Sequence, residues 1–164
     1  MHQLTKYANY NLWANTKVCN EFLSKLDETK LQQEIPSSFS SLRKTVYHIW
    51  DAEVIWLHRL TGGTQTALPI QHEPMTFLVF KERFLKNSKT LADFVSSKEE
   101  HYFSQTLSYK NSQGKEFTNT ISDIIHHVMN HGTFHRGQII TMLRSIGVTE
   151  LSSTDFITFC RLKV

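Results

Sequence analysis

The stretch ISDIIHHVMNHGTFHRGQIITMLRSI, residues 121–146, decides the fold. Ile121, Ile124, Ile125, Val128, Gly132, Ile139, Met142, Leu143 and Ile146 recur at i, i+3, i+4 and i+7. At about 100° per residue this spacing is one stripe of an α-helix, and the stripe is the face that enters a core. His135 falls within it. His131 flanks it, about 80° from its centre on an ideal wheel. His127 lies further round, and His126 lies on the opposite side. Asn119 or Thr120 supplies the N-cap, and Gly147 stops the helix. Gly132 and Gly137 each cost about 1 kcal/mol against Ala in an exposed helix and predict close packing against a neighbour.

Three more long helices precede this one. Leu4 to Leu26 carries Leu12, Val18, Phe22 and Leu26 at helical spacing, with no Gly or Pro inside. Glu34-Ile-Pro-Ser-Ser38 breaks the chain, and Ser38 to Ser41 offer N-caps for a helix from about Leu42 to Leu60, which stops at Thr61-Gly62-Gly63. A loop with Pro69 and Pro74 follows. Thr76 caps a helix over roughly Phe77 to Ser96. Between Tyr102 and Thr120, the halves 103–109 and 115–118 flank Asn111-Ser-Gln-Gly114 and predict a short β-hairpin. The tail Thr154 to Cys160 is apolar enough to dock as a short helix. The expectation is an all-α four-helix bundle, one domain over residues 1–164, with a hairpin before the last long helix.

Composition narrows the function classes. With 164 residues, 40% hydrophobic and 20% charged, the chain is long and apolar enough for one sizeable core. No apolar run approaches the roughly 20 residues that span a bilayer. The polar start, Met1 to Tyr7, lacks the apolar core of a signal peptide, so the expected location is the cytoplasm. Cys19 and Cys160 lie far apart and read as inert thiols in a reducing compartment. The net charge of +3 is spread without a dense basic run, which argues against a nucleic-acid partner. Trp13, Trp50 and Trp56 read as core or interface aromatics.

The unusual feature is nine histidines, three of them within residues 126–131. His131 and His135 stand four apart, which places two imidazoles on one helix face at a separation that one metal ion bridges. The Glu of the zinc-protease H-E-x-x-H pattern is absent. Spacing alone leaves both a metal site and two hydrogen-bonded core histidines open. Two histidines hold a metal weakly, so a third ligand is needed. On the helix over residues 42–60, His48 shares a second, largely apolar face with Ala52 and Ile55. The wheel therefore permits His48 without demanding it. His58, beside Arg59, reads as a solvated surface residue.

The segment from His127 to Gln138 resembles the signature of the DinB-like family. Tyr10-Asn-Leu-Trp-Ala-Asn15 is similar to that family's first-helix pattern, and Val46-Tyr-His48-Ile-Trp-Asp-Ala-Glu53 to its second-helix pattern. The matches come in the family's order and span nearly the whole chain. The resemblance implies one divalent metal ion per chain, zinc or nickel, held by His48, His131 and His135. It implies a bundle that commonly dimerises, and a His127 that is not a ligand. The family includes bacillithiol- and mycothiol-dependent enzymes, so a small-molecule substrate and a low-molecular-weight thiol are implied as partners.

Three neutral imidazoles leave at least one coordination position open, as in catalytic sites. Two enzymatic routes follow. In thiol-dependent S-transfer, the metal charge deprotonates a bound thiol, which attacks an electrophile. In metal-dependent hydrolysis, the metal activates water. Hydrolysis also wants a general acid or base, and neither Asp51 nor Glu53 shares the face of His48 closely. The thiol route ranks first. A non-catalytic bundle that a metal stabilises, or a dimerisation module, is the third reading. No catalytic side chain is identified. Arg136 is weighed as an anchor for an anionic substrate group against an exposed ion pair. Asn130 and Gln138 are weighed as partners that orient the ligands against packing or solvated residues.

Overall fold

The computed structural model describes residues 3–63, 75–111 and 113–162. The expected loop with Pro69 and Pro74 lies outside the described residues. Four long helices form the bundle: α1 (Gln3–Lys17), α3 (Leu42–Leu60), α4 (Phe77–Ser96) and α6 (Ile121–Ser145). Helix α1 packs on α4 and α6, and α3 packs on α6 and α4. No helix among the described residues is long and apolar enough to cross a membrane.

The caps explain the boundaries. The side chains of Ser41, Thr76 and Thr120 accept from the backbone N–H of Lys44, Val79 and Asp123, so each N-terminus has one orphan donor satisfied. At the other end of α3, Gly62 adopts φ +90°, and at the end of α6, Gly147 adopts φ +88°. Both belong to the left-handed region that glycine enters without a Cβ clash. The first helix does reach the region expected of it, but in three pieces. After Lys17 it widens into a π-helical turn over Val18–Phe22 and then tightens into a 3-10 turn over Leu23–Lys25. The Leu23 N–H reaches back to the carbonyls of both Val18 and Cys19.

Three further single-turn helices complete the chain: α2 (Glu28–Gln32), α5 (Glu100–Phe103) and α7 (Phe156–Cys160). Of these, only α7 matches an expectation. It docks on α1 through Phe156, whose ring stands edge-on to Tyr10 at 5.2 Å. Helix α5 displaces the expected start of the hairpin, because Phe103 turns into the core rather than extending. The strands are β1 (Thr106–Lys110) and β2 (Glu116–Thr120), antiparallel, with Thr106 opposite Thr120 and Lys110 opposite Glu116. Arg59 fixes the hairpin to α3. Its guanidinium lies over Trp56 at 4.6 Å and Tyr109 at 4.9 Å, and its Nη2 donates to Lys110 O at 2.9 Å.

The core is split. One apolar cluster holds Phe22, Leu42, Val46, Phe80, Ile139 and Leu143. The other holds Leu4, Leu91, Val95, Ile124, Ile125 and Met129. Each such side chain contributes about 1.5–3 kcal/mol by leaving water. On all four long helices, the stretch between the two clusters is polar and buried: Asn11 and Asn15 on α1, Glu53 on α3, Ser88 on α4, and Arg136 on α6. A bundle core of this length would pack well with apolar residues there, so this polar layer is a deliberate feature of the sequence.

Candidate metal centre

Asn11 and Asn15 each donate from Nδ2 to Glu53 Oε1 at 2.7 Å, and Ser88 Oγ donates to Glu53 Oε2 at 2.6 Å. Arg136 Nη1 donates to Asn11 Oδ1 at 2.7 Å and to Asn15 Oδ1 at 2.8 Å. Two side-chain amides thus bridge a buried carboxyl and a buried guanidinium, each amide spending its carbonyl on one and its N–H on the other. Burial pushes the Glu53 carboxyl above its usual range; the bonds from Ser88, Asn11 and Asn15, and the Arg136 charge, oppose that shift. Gly132 makes room for this network. A Cβ there would lie 2.7 Å from Asn11 Oδ1 and 2.8 Å from Arg136 Nη1.

Arg136 is therefore neither the exposed ion pair nor the open anchor weighed for it. It is 2% exposed and its donors are spent inside the bundle. His58 also departs from expectation. It is half-buried rather than solvated, and a Cβ on Gly63 would fall 2.0 Å from its Nε2. Gly137, expected to mark close packing, has nothing within 4 Å of an added Cβ.

One helical step away from Arg136, the histidines meet. His48 on α3 and His131 and His135 on α6 bring their ligand atoms within 4.8 Å of one another. The ring centroids stand 4.6 Å apart for His48–His131 and His48–His135, and 4.4 Å for His131–His135. Packing of α3 against α6 makes this possible: the second face of α3 that carries His48 turns toward the flank of α6. His48 and His131 point Nε2 at Nε2 across 2.8 Å. Two lone pairs do not face each other at that distance without a proton or a cation between them.

The site's electrostatics favour neutral rings, the form that offers a lone pair to a cation. His131 is pushed down to about 3, first by burial and then by the neighbouring charges of His135, His48, His127 and Arg136. Burial lowers His48 as well, with His135 adding to it. His135 is oriented from behind. Gln138 Oε1 accepts from His135 Nδ1 at 2.7 Å, which assigns the proton to Nδ1 and leaves the Nε2 lone pair free. The Gln138 amide also donates to Ser38 Oγ at 2.7 Å, tying the 36–41 segment to the site. From that segment Phe39 covers the cluster, its ring 4.2 Å from His48 and 5.6 Å from His135.

The remaining candidates separate clearly. His127 is exposed, 5.5 Å from the Trp56 ring and 6.0 Å from His131, at the edge of the cluster. Burial lowers its pKa. Asn130 accepts from Tyr7 OH at 2.7 Å and links α6 to α1. His126 lies on the exposed face near Tyr7. Sequence reasoning missed Phe39, which sits in an irregular segment with no periodicity to read. It also missed Asn11, Asn15 and Glu53. The signal for the two asparagines was present: they stand four apart inside a helix, where Asn has poor propensity unless its amide is satisfied by neighbours.

Three imidazoles of this geometry fit a divalent ion by donor chemistry. Among the described residues, no Cys, Asp or Glu joins the three-histidine group. The set thus leaves coordination positions for exchangeable ligands.

Comparison with known proteins agrees with this picture. The DinB family model matches residues 1–161. Protein DinB of Bacillus subtilis (strain 168) is 30% identical over 158 residues, which cover 92% of this chain and 90% of that relative. Among solved structures, a DinB-like protein from Bacillus subtilis is similar in fold, with a TM-score of 0.68 at 16% identity, covering 94% of this chain and 99% of that one. A second, from Bacillus cereus, has a TM-score of 0.67 at 18% identity, covering 88% of this chain and 91% of its own. The matched residues, the bundle and the position of the hairpin lead to one assignment: this chain belongs to the DinB family.

Proposed function

We propose that His48, His131 and His135 hold one divalent ion, zinc or nickel, and that the protein is an enzyme transferring a low-molecular-weight thiol to a small electrophile. The observation that carries this reading is the convergence of three ring nitrogens within 4.8 Å in a half-buried site with no other protein ligand among the described residues. A divalent ion supplies Lewis-acid charge, which lowers the pKa of a thiol or a water molecule. The chain's own residues do the rest. Gln138 fixes the tautomer of His135, Phe39 limits water above His48, and the polar layer holds α3 and α6 in register.

The reaction balances simply. The thiol loses its proton to solvent, a sulfur–carbon bond forms, and the carbon–leaving-group bond breaks, with the leaving group keeping the electron pair. Metal-dependent hydrolysis is the weaker reading. Glu53, the nearest carboxylate weighed as a general base, is 1% exposed and already takes three hydrogen bonds from Asn11, Asn15 and Ser88. One domain over residues 1–164, a homodimer and a cytoplasmic location belong to the same reading. The family likeness supports the dimer, and two cysteines without a disulfide accord with a reducing compartment.

Two measurements test this. Elemental analysis of untagged protein is expected to give about one ion per chain. A panel of cellular thiols with a chromogenic electrophile is expected to react faster with metallated protein than with metal-free or His48→Ala protein. The rate advantage should be greatest near or below neutral pH, where a free thiol of pKa about 8.5 is mostly protonated. Failure of every thiol, with metal-dependent cleavage of an ester or amide panel, would move the assignment to hydrolysis.

A further inference from the structure

Beside the histidine cluster, on the C-terminal side of Gln138, lies a groove of about 430 Å³. Ile35, Pro36, Phe134 and Met142 form its apolar walls, and Gln138 and Thr141 supply polar points. Among the described residues, no charged side chain lines it. Gly137 also lines it. A mid-helix glycine costs α6 about 1 kcal/mol relative to Ala. At Gly132 the polar layer explains that cost. At Gly137 no packing does, because an added Cβ would meet nothing within 4 Å. What the absent side chain preserves is the groove itself. Phe134 stands at its lip, 62% exposed, with its ring 5.0 Å from that of His135. Gln138 lines the groove while bonded to His135. The groove and the candidate metal centre are therefore neighbours that share a residue.

We infer that this groove binds the uncharged, mainly apolar part of the electrophilic substrate, an aryl or short alkyl group, with its reacting carbon turned toward His135. The direction of the ligand rests on the S-transfer reading; the groove's preference for a neutral ligand rests on its lining. A charged group seated there would lose water with no opposite charge to meet it, whereas a hydroxyl or carbonyl finds Gln138 or Thr141. The volume is in the range of small-molecule sites, about 300–1,000 Å³.

The test is a binding titration on the protein as purified, followed by ligand-observed NMR. The probes are benzyl alcohol, benzenesulfonate and benzyltrimethylammonium: one ring, three charges, all weak metal ligands. Benzyl alcohol is expected to bind at least about tenfold more tightly than either charged probe. Gly137→Leu, which fills the groove, is expected to weaken benzyl alcohol by about tenfold or more. Phe134→Ser removes one wall and is expected to weaken it as well. Gly137→Leu should fold and raise the thermal midpoint, since Leu is the better helix former and has room. Its zinc titration should match that of the unaltered protein.

Equal binding of all three probes overturns the inference, as does unchanged benzyl alcohol binding in Gly137→Leu. Light scattering supplies a third check. If Gly137→Leu turns a dimer into monomers, the groove is a contact between copies and the ligand assignment is overturned. The function fails separately: benzyl alcohol binding that Gly137→Leu abolishes, in a protein that transfers no thiol to benzyl chloride, sustains the groove and removes S-transfer.

Discussion

His135 and Arg136 are adjacent on α6, yet they serve two opposite kinds of polar site. Arg136 belongs to a closed one. Asn11, Asn15, Glu53 and Ser88 are bonded within the bundle, and every one of them is buried. His135 belongs to an open one, in which two of the three rings are half-exposed and the nitrogens converge with no other protein ligand among the described residues. Burial acts on both, with different results. In the closed layer it is offset by hydrogen bonds, so the groups are tied to one another. In the histidine cluster it holds the rings neutral, so their lone pairs stay available. The comparison separates polarity that holds the fold from polarity kept for a ligand.

The largest expected effect breaks the closed layer. Glu53→Leu strands the Arg136 charge and should cost about 3–5 kcal/mol, read as a fall in the urea midpoint at constant slope. A loss below about 1 kcal/mol would show that the layer is not held by a charge pair. Next come the ligands. His48→Ala, His131→Ala and His135→Ala should each weaken zinc binding more than about 100-fold, or about 2.7 kcal/mol, while leaving the urea midpoint of metal-free protein nearly in place. His126→Ala should leave zinc binding unchanged, and an equal loss there would contradict the facing of α6.

Gln138→Leu sharpens the contrast, because it removes only the orienting bond to His135. Zinc affinity should fall about 10–100-fold, by isothermal titration. The smallest effect is one of pH on metal-free protein. His131 titrates near 6.5 when unfolded and at about 3 when folded, so the unfolded chain binds the extra proton between those values. Stability is therefore full above about 6.5 and declines as pH falls toward 3. Solvent access to the ring reduces the loss to the order of 1 kcal/mol. In His131→Gln that part of the pH dependence should vanish from the denaturation midpoints.

The sequence was most legible where local rules act alone. Ser41 and Thr76 open helices and Gly62 closes one, so the spans 42–60 and 77–96 could be read directly. The four-residue spacing of His131 and His135 marked half the site. The third ligand, His48, was permitted by its helix face but rested on the family likeness, since pairing of α3 with α6 is a tertiary fact. Single-turn helices such as α2 and α5 carry too few residues for a period to show. Arg136 was misread because a charged residue in a helix usually faces water. Only the positions of Asn11 and Asn15 on another helix make its burial affordable. His58 was misread for a similar reason: the chain folds Gly63 back over its ring.

The π-helical turn over Val18–Phe22 has a consequence for length changes in this chain. Such a turn amounts to one residue inserted into an α-helix. It lets Asn11 and Asn15 face the polar layer while Phe22 and Leu23, beyond it, still face the apolar cluster. Deleting one residue within the turn would restore the ordinary helical period but rotate everything downstream by about 100° relative to everything upstream. Phe22 and Leu23 would swing away from the core. The first helix thus has a fixed residue count between its polar and apolar halves, and this short stretch should tolerate substitution far better than deletion.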